Sequence, residues 1–168
     1  MEQNSTLSVE DFVVAATSFY EISNRLADGW KLIKDENETH KTYIKKHTFL
    51  QVERDGVQSL LKTELVIFFN LSYGVPAFSF NIWNSSGVLL TLEEIRHMSF
   101  VTLNQKEFYS VITQQEHPIF LRPYFIVHPC HTAELLSALR EGSKNIIVTF
   151  LGLITPLLKL DLSMEYGL

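Results

Sequence analysis

The sequence predicts an α+β domain, a four-stranded antiparallel sheet with flanking helices, and three observations carry that prediction. An apolar pattern of helical period follows Ser8. Between Thr42 and Ile82 the period drops to two, broken twice by turn residues. Further helix-start signals follow the last strand, the first two at Thr91 and Asn104. Residues 1–168 read as one domain, because 46% apolar and 12% aromatic residues suit a single sizeable core.

Ser8 caps the first helix with Glu10 and Asp11 in its first turn, and Phe12, Val13, Ala16, Phe19, Tyr20 and Leu26 recur at helical spacing until Asp28-Gly29 ends it. Thr42 to Val52 is a β-branched and aromatic run, Arg54-Asp55-Gly56 is a turn, and Leu61, Thr63, Leu65, Ile67 and Phe69 alternate on one face of the next strand. Val66 to Phe69 is apolar on both faces, which places that strand centrally. Ser72 to Pro76 bends the chain into a last strand through Phe78, Phe80 and Ile82, and Asn84 to Gly87 closes the sheet. Thr91 to Glu94 is a capping-box pattern for a short helix, and Asn104 to Glu107 repeats the signal before Phe108 to Ile112. Thr113 to Pro123 reads as an irregular loop, Tyr124 to Val127 as a short extended piece, and Thr132 to Arg140 as a helix with a Gly142 stop. Asn145 caps a final helix from Ile146 to about Ile154, ahead of Pro156.

Composition narrows the function. The one cysteine, Cys130, cannot form an intramolecular disulfide, and MEQNSTLSVEDF has neither the basic leader nor the apolar core of a signal peptide, so a cytoplasmic protein is expected. A net charge of -5 points away from nucleic acid and toward protein partners. The apolar run from Ile146 to Leu158 is shorter than the roughly 20 residues a bilayer needs, so no stable membrane insertion is expected.

Cys130 stands in YFIVHPCHTAELL, at a loop-to-helix junction. A lone cysteine is commonly a small buried hydrophobe, but unpaired N–H groups at a helix start favour a thiolate and a flanking imidazole can stabilise it. Zinc is a rival, since His128, Cys130 and His131 are potential ligands with His117 in the preceding loop, yet adjacent ligands are poorly spaced and there is no second Cys pair. A papain-type hydrolase is conceivable, though the local signature of such enzymes is absent around Cys130. No cofactor and no metal are expected.

The stretch VITQQEHPIFLRPYFIVHPCHTAELL, Val111 to Leu136, resembles the active-site region of the autophagy-related protein 10 family of ubiquitin-conjugating-like enzymes. The resemblance extends back through YGVPAFSFNIWNSSGVLLTLEEI, Tyr73 to Ile95, and more loosely over the chain. A sister family, autophagy-related protein 3, shares His-Pro-Cys but carries a long acidic insertion and a lipid-facing N-terminal helix, neither of which is seen here. The resemblance implies a ubiquitin-conjugating-enzyme-like fold and a defined chemistry. It implies that an activating enzyme, autophagy-related protein 7, passes the modifier autophagy-related protein 12 to Cys130 as a thioester, and that Cys130 passes it to a lysine of autophagy-related protein 5.

Aminolysis of that thioester develops an oxyanion that needs a fixed hydrogen-bond donor. Ordinary ubiquitin-conjugating enzymes supply an Asn from a His-Pro-Asn motif, but here His117-Pro118 is followed by Ile119. His128 is the first candidate donor and Tyr73 the second; each has a plainer role open to it, His128 as a brace for the loop and Tyr73 as a half-buried turn aromatic. Thr132 reads as the cap of the following helix, and Gln114, Gln115, Glu116 and His117 as an active-site loop that shapes the site or docks partners. Two other classes of function stand beside this one: a catalytically idle conjugating-fold binding module, and a cysteine hydrolase.

Overall fold

The structure is a computed structural model that describes residues 6–98, 105–158 and 163–167. Helix α1, Val9–Leu26, starts at Ser8, whose hydroxyl accepts the Asp11 N–H, and ends where Ala27 turns left-handed at φ 53°. The expected stop at Asp28-Gly29 thus falls one residue earlier. Its Phe12, Ala16, Phe19 and Ser23 line one buried stripe.

Among the described residues the sheet has six strands, not the expected four. Strands β1 (Lys31–Ile33), β2 (Tyr43–Arg54), β3 (Val57–Asn70), β4 (Val75–Trp83), β5 (Ile112–Glu116) and β6 (Pro123–Val127) pair antiparallel throughout, in the order β1-β2-β3-β4-β6-β5. The two strands absent from the sequence reading are the two edges. At three residues β1 is too short to display a period of two. Polar ITQQE forms β5 because an edge strand buries little, so the supposed irregular loop is a strand followed by a turn. Val66, Ile67, Phe68 and Phe69 are all buried, which is what a strand covered on both faces requires.

Helices α1 and α5 (Ile146–Leu158) pack on the inner face, where Phe12, Phe19, Phe150 and Ile154 meet Leu65, Ile67, Phe78, Phe80 and Phe125 in the main core. On the outer face Val66, Phe68, Ala77, Tyr124 and Ile126 form a smaller cluster, covered by residues 117–122 as they fold back over the strands; there Phe120 meets Tyr43 edge-on, with centroids 4.8 Å apart. The Thr91 capping box is complete, and α2 spans Leu92–Arg96. Helix α3 is Gln105–Val111; the cap expected at Asn104 lies outside the described residues.

Two further helix boundaries differ from expectation. Helix α4, Cys130–Leu139, starts at the cysteine itself: the Thr132 and Ala133 N–H groups both donate to the Pro129 carbonyl, at 3.2 and 2.9 Å. Thr132 is therefore not the cap but a buried first-turn residue whose hydroxyl donates to the same carbonyl at 3.4 Å. Helix α5, capped by Asn145 as expected, runs through Pro156 to Leu158. Pro156 and Gly152 lie on its exposed side, so the helix carries the proline without burying an unserved carbonyl.

Candidate active site

Strand β6 delivers the chain to the site and α4 carries it away. The His128 N–H donates to the Val111 carbonyl at 2.7 Å, so the last residue before Pro129 is tied to the α3–β5 junction. Pro129 is buried and Cys130, one residue on, is exposed. The thiol thus stands at the first position of a helix, in solvent, on a backbone clamped on both sides.

The imidazole of His128 reaches forward along the chain, and its Nδ1 accepts the Cys130 N–H at 3.3 Å. That bond requires a lone pair on Nδ1, so in the neutral ring the proton sits on Nε2 and remains available to donate. One ring therefore braces the loop with one nitrogen and offers a donor with the other. Tyr73, in the β3–β4 turn, is half-exposed and sets its ring edge-on to His128, with centroids 6.0 Å apart at 78°. The structure thus brings together three of the sequence-selected residues, Tyr73, His128 and Cys130.

It separates the others. Ile112 pairs with Val127 beside the site, whereas Gln115 pairs with Tyr124 and Glu116 with Pro123. At roughly 3.3 Å per residue, Gln115 is about 10 Å further down the strand. Both are exposed on the sheet edge, so they form a side surface rather than a loop around the thiol.

His117 is fully buried on the outer face, its ring 4.5 Å from those of Phe68 and Phe120, with Nε2 3.1 Å from the Ser79 hydroxyl and Nδ1 accepting the Ile119 N–H. Burial, with a smaller push from the Arg122 charge, holds it down at about 4. A neutral histidine with both nitrogens engaged is a structural residue, and it is not free to join His128 and Cys130 around a metal. Among the described residues no group of three or more His, Cys, Asp or Glu is placed to hold a metal ion. None of the described helices is long and apolar enough to cross a membrane.

The model of the autophagocytosis-associated protein active-site domain family matches residues 3–165. The chain belongs to that family. Among its relatives, the human ubiquitin-like-conjugating enzyme ATG10 is 30% identical over 125 residues, which cover 69% of this chain and 57% of the human protein. The match therefore spans little more than half the length of that relative. The ATG10 enzyme of Arabidopsis thaliana is 25% identical over 182 aligned positions, covering 83% of this chain and 81% of the relative. The solution structures of KmAtg10 align at 17% identity with a TM-score of 0.47, covering 93% of this chain and 97% of that one.

Proposed function

We propose that this member of the family is a ubiquitin-conjugating-like enzyme that carries a ubiquitin-like modifier as a thioester on Cys130 and transfers it to a lysine of an acceptor protein. The observation that supports this most is the exposed thiol at the first residue of α4, beside an imidazole whose Nδ1 is committed and whose Nε2 is available.

In the first half-reaction the Cys130 thiolate attacks the modifier's thioester on the activating enzyme, and the activating enzyme's thiolate leaves; one thioester replaces another at little energetic cost. In the second, a lysine amine adds to the Cys130 thioester carbonyl. The tetrahedral oxyanion takes a hydrogen bond from His128 Nε2–H, the lysine nitrogen gives its surplus proton to solvent, and collapse expels Cys130 as the thiolate and leaves an isopeptide bond. Tyr73 keeps the imidazole in place. The modifier, activating enzyme and acceptor are autophagy-related proteins 12, 7 and 5, in the cytosol, and the acceptor docks by adding a strand to the β5 edge next to the site.

Incubation with the activating enzyme, modifier and ATP tests this. A reductant-sensitive adduct is expected; no adduct means an idle binding module, and modifier turnover without a lasting adduct means a hydrolase.

A further inference from the structure

The β3–β4 turn that carries Tyr73 is built around one side chain. The Asn70 carboxamide oxygen accepts the Tyr73 N–H at 2.9 Å, while the Asn70 backbone carbonyl accepts the Gly74 N–H at 2.8 Å. A four-residue turn closed twice by the same residue has little freedom in the direction of its third position, which is Tyr73. Gly74 is left-handed at φ 63°, and a Cβ there would come within 2.8 Å of the Thr6 Cβ. Its carbonyl accepts the Leu7 N–H at 2.7 Å, so the chain ahead of α1 lies directly against the turn.

That same stretch is tied to the helix of the nucleophile: Arg140, just beyond α4, donates to the Thr6 carbonyl at 2.9 Å. The Tyr73 turn and α4, which starts at Cys130, thus share an anchor at residues 6–7. At the other end of the linkage, the Tyr73 ring meets the imidazole that holds the Cys130 N–H.

We propose that Asn70 is a positioning residue for transfer: it aims Tyr73 at His128 and so holds the imidazole where its Nε2 reaches the thioester oxygen. This rests on the conjugating reading of Cys130 and deepens it. Asn70 touches neither thioester nor acceptor, and its effect passes through the Tyr73 backbone. A misdirected donor costs rate in the step where charge develops, and has little to do with the exchange of one thioester for another.

The test splits the two half-reactions, using the full chain as wild type, Asn70→Ala and Asn70→Asp. Asn70→Ala should take up modifier within about twofold of the wild-type rate. Once charged, it should discharge to free lysine about tenfold to a hundredfold more slowly, less than the loss from deleting a donor outright. Asn70→Asp keeps an oxygen at the same place and should restore most of the discharge rate. A second readout needs no partner: the Tyr73 ring current should shift the carbon-bound imidazole protons of His128 in NMR spectra, and that shift should collapse in the alanine variant and survive in the aspartate variant. Discharge of the alanine variant at the wild-type rate overturns the proposal. So does an equal fall in charging and discharge, or an aspartate variant as slow as alanine with its ring-current shift intact. If wild-type protein accepts no modifier, the conjugating reading fails, and the NMR arm still decides whether Asn70 sets the Tyr73–His128 pair.

Discussion

Tyr73 stands edge-on to His128, with ring centroids 6.0 Å apart and planes at 78°. The contact is between rings, so it depends on the aromatic body of Tyr73 rather than on its hydroxyl. Tyr73→Phe should discharge the modifier to lysine within about threefold of wild type, whereas Tyr73→Leu should fall by about tenfold or more. Single-turnover discharge of pre-charged protein decides it. A phenylalanine variant as slow as leucine would assign the work to the hydroxyl.

Cys130 is the single thiol in the chain and is exposed, so it fills no core space. Cys130→Ala should abolish charging while the free energy of unfolding stays within the small range expected of surface substitutions, about 0.5 kcal/mol. Cys130→Ser should trap the modifier as an oxyester that survives reductant. A gel of both variants after incubation with activating enzyme, modifier and ATP is the check, and persistent charging of the alanine protein would remove Cys130 from the mechanism.

How much of this was legible depended on whether a residue's role is local. Ser8, Thr91 with Glu94, and Asn145 announce helix starts through bonds made within a few residues, and each start lies where those residues put it. The doubly apolar run at Val66 to Phe69 likewise announces a central strand. Edge strands β1 and β5 carry no such mark, because their partners lie elsewhere and their exposed sides are polar. The same holds at the site. Cys130 was visible as a unique thiol, but the start of α4 at Cys130 follows from the Pro129 carbonyl accepting two N–H groups, which no composition rule states. The burial of His117 is not legible, because a His-Pro turn looks the same whether it faces solvent or folds over Phe68 and Ser79. Asn-Leu-Ser-Tyr-Gly signals a turn through Asn70 and Gly74 but not which way that turn aims Tyr73.

His117 makes stability depend on pH. Its folded-state value is about 4, below the 6.5 of a free imidazole, so the unfolded chain binds the proton more readily. Stability is fully present above about pH 6.5, falls as pH drops toward 4, and loses no more from this group below that. The lowering is worth on the order of 3 kcal/mol across the window. Urea denaturation between pH 6.5 and 4.5 should show the slope, and His117→Gln, less stable overall, should lack that part of it. Equal slopes in the two proteins would mean that His117 is not buried in the neutral form.

Among the described residues β5 has no strand on its outer side, and its Gln114, Gln115 and Glu116 are exposed. If the acceptor adds a strand there, proline placed singly at Thr113, Gln114 and Gln115 should weaken transfer wherever the lost N–H pointed outward, and leave charging by the activating enzyme unchanged. Acceptor binding and charging, measured side by side for each variant, separate the sites. A parallel fall in both would mean that the edge serves the fold or that the two docking surfaces overlap.

His128 is asked to do two things, and they can be pulled apart. Its Nδ1 accepts the Cys130 N–H, which leaves Nε2–H as the donor toward the thioester oxygen. An oxyanion donor matters most as negative charge develops, and losing one typically costs about a hundredfold to a thousandfold. His128→Ala should therefore accept modifier but discharge it to lysine slower by about that factor. In His128→Asn the carboxamide oxygen can take the Cys130 N–H while its NH2 donates, so part of the rate should return. A general base gives the opposite pattern, because an amide cannot accept the amine's proton and asparagine would be as poor as alanine. Single-turnover discharge of the three pre-charged proteins settles the assignment: an alanine variant that discharges at the normal rate leaves His128 with the loop alone and passes the donor's role to the Tyr73 hydroxyl.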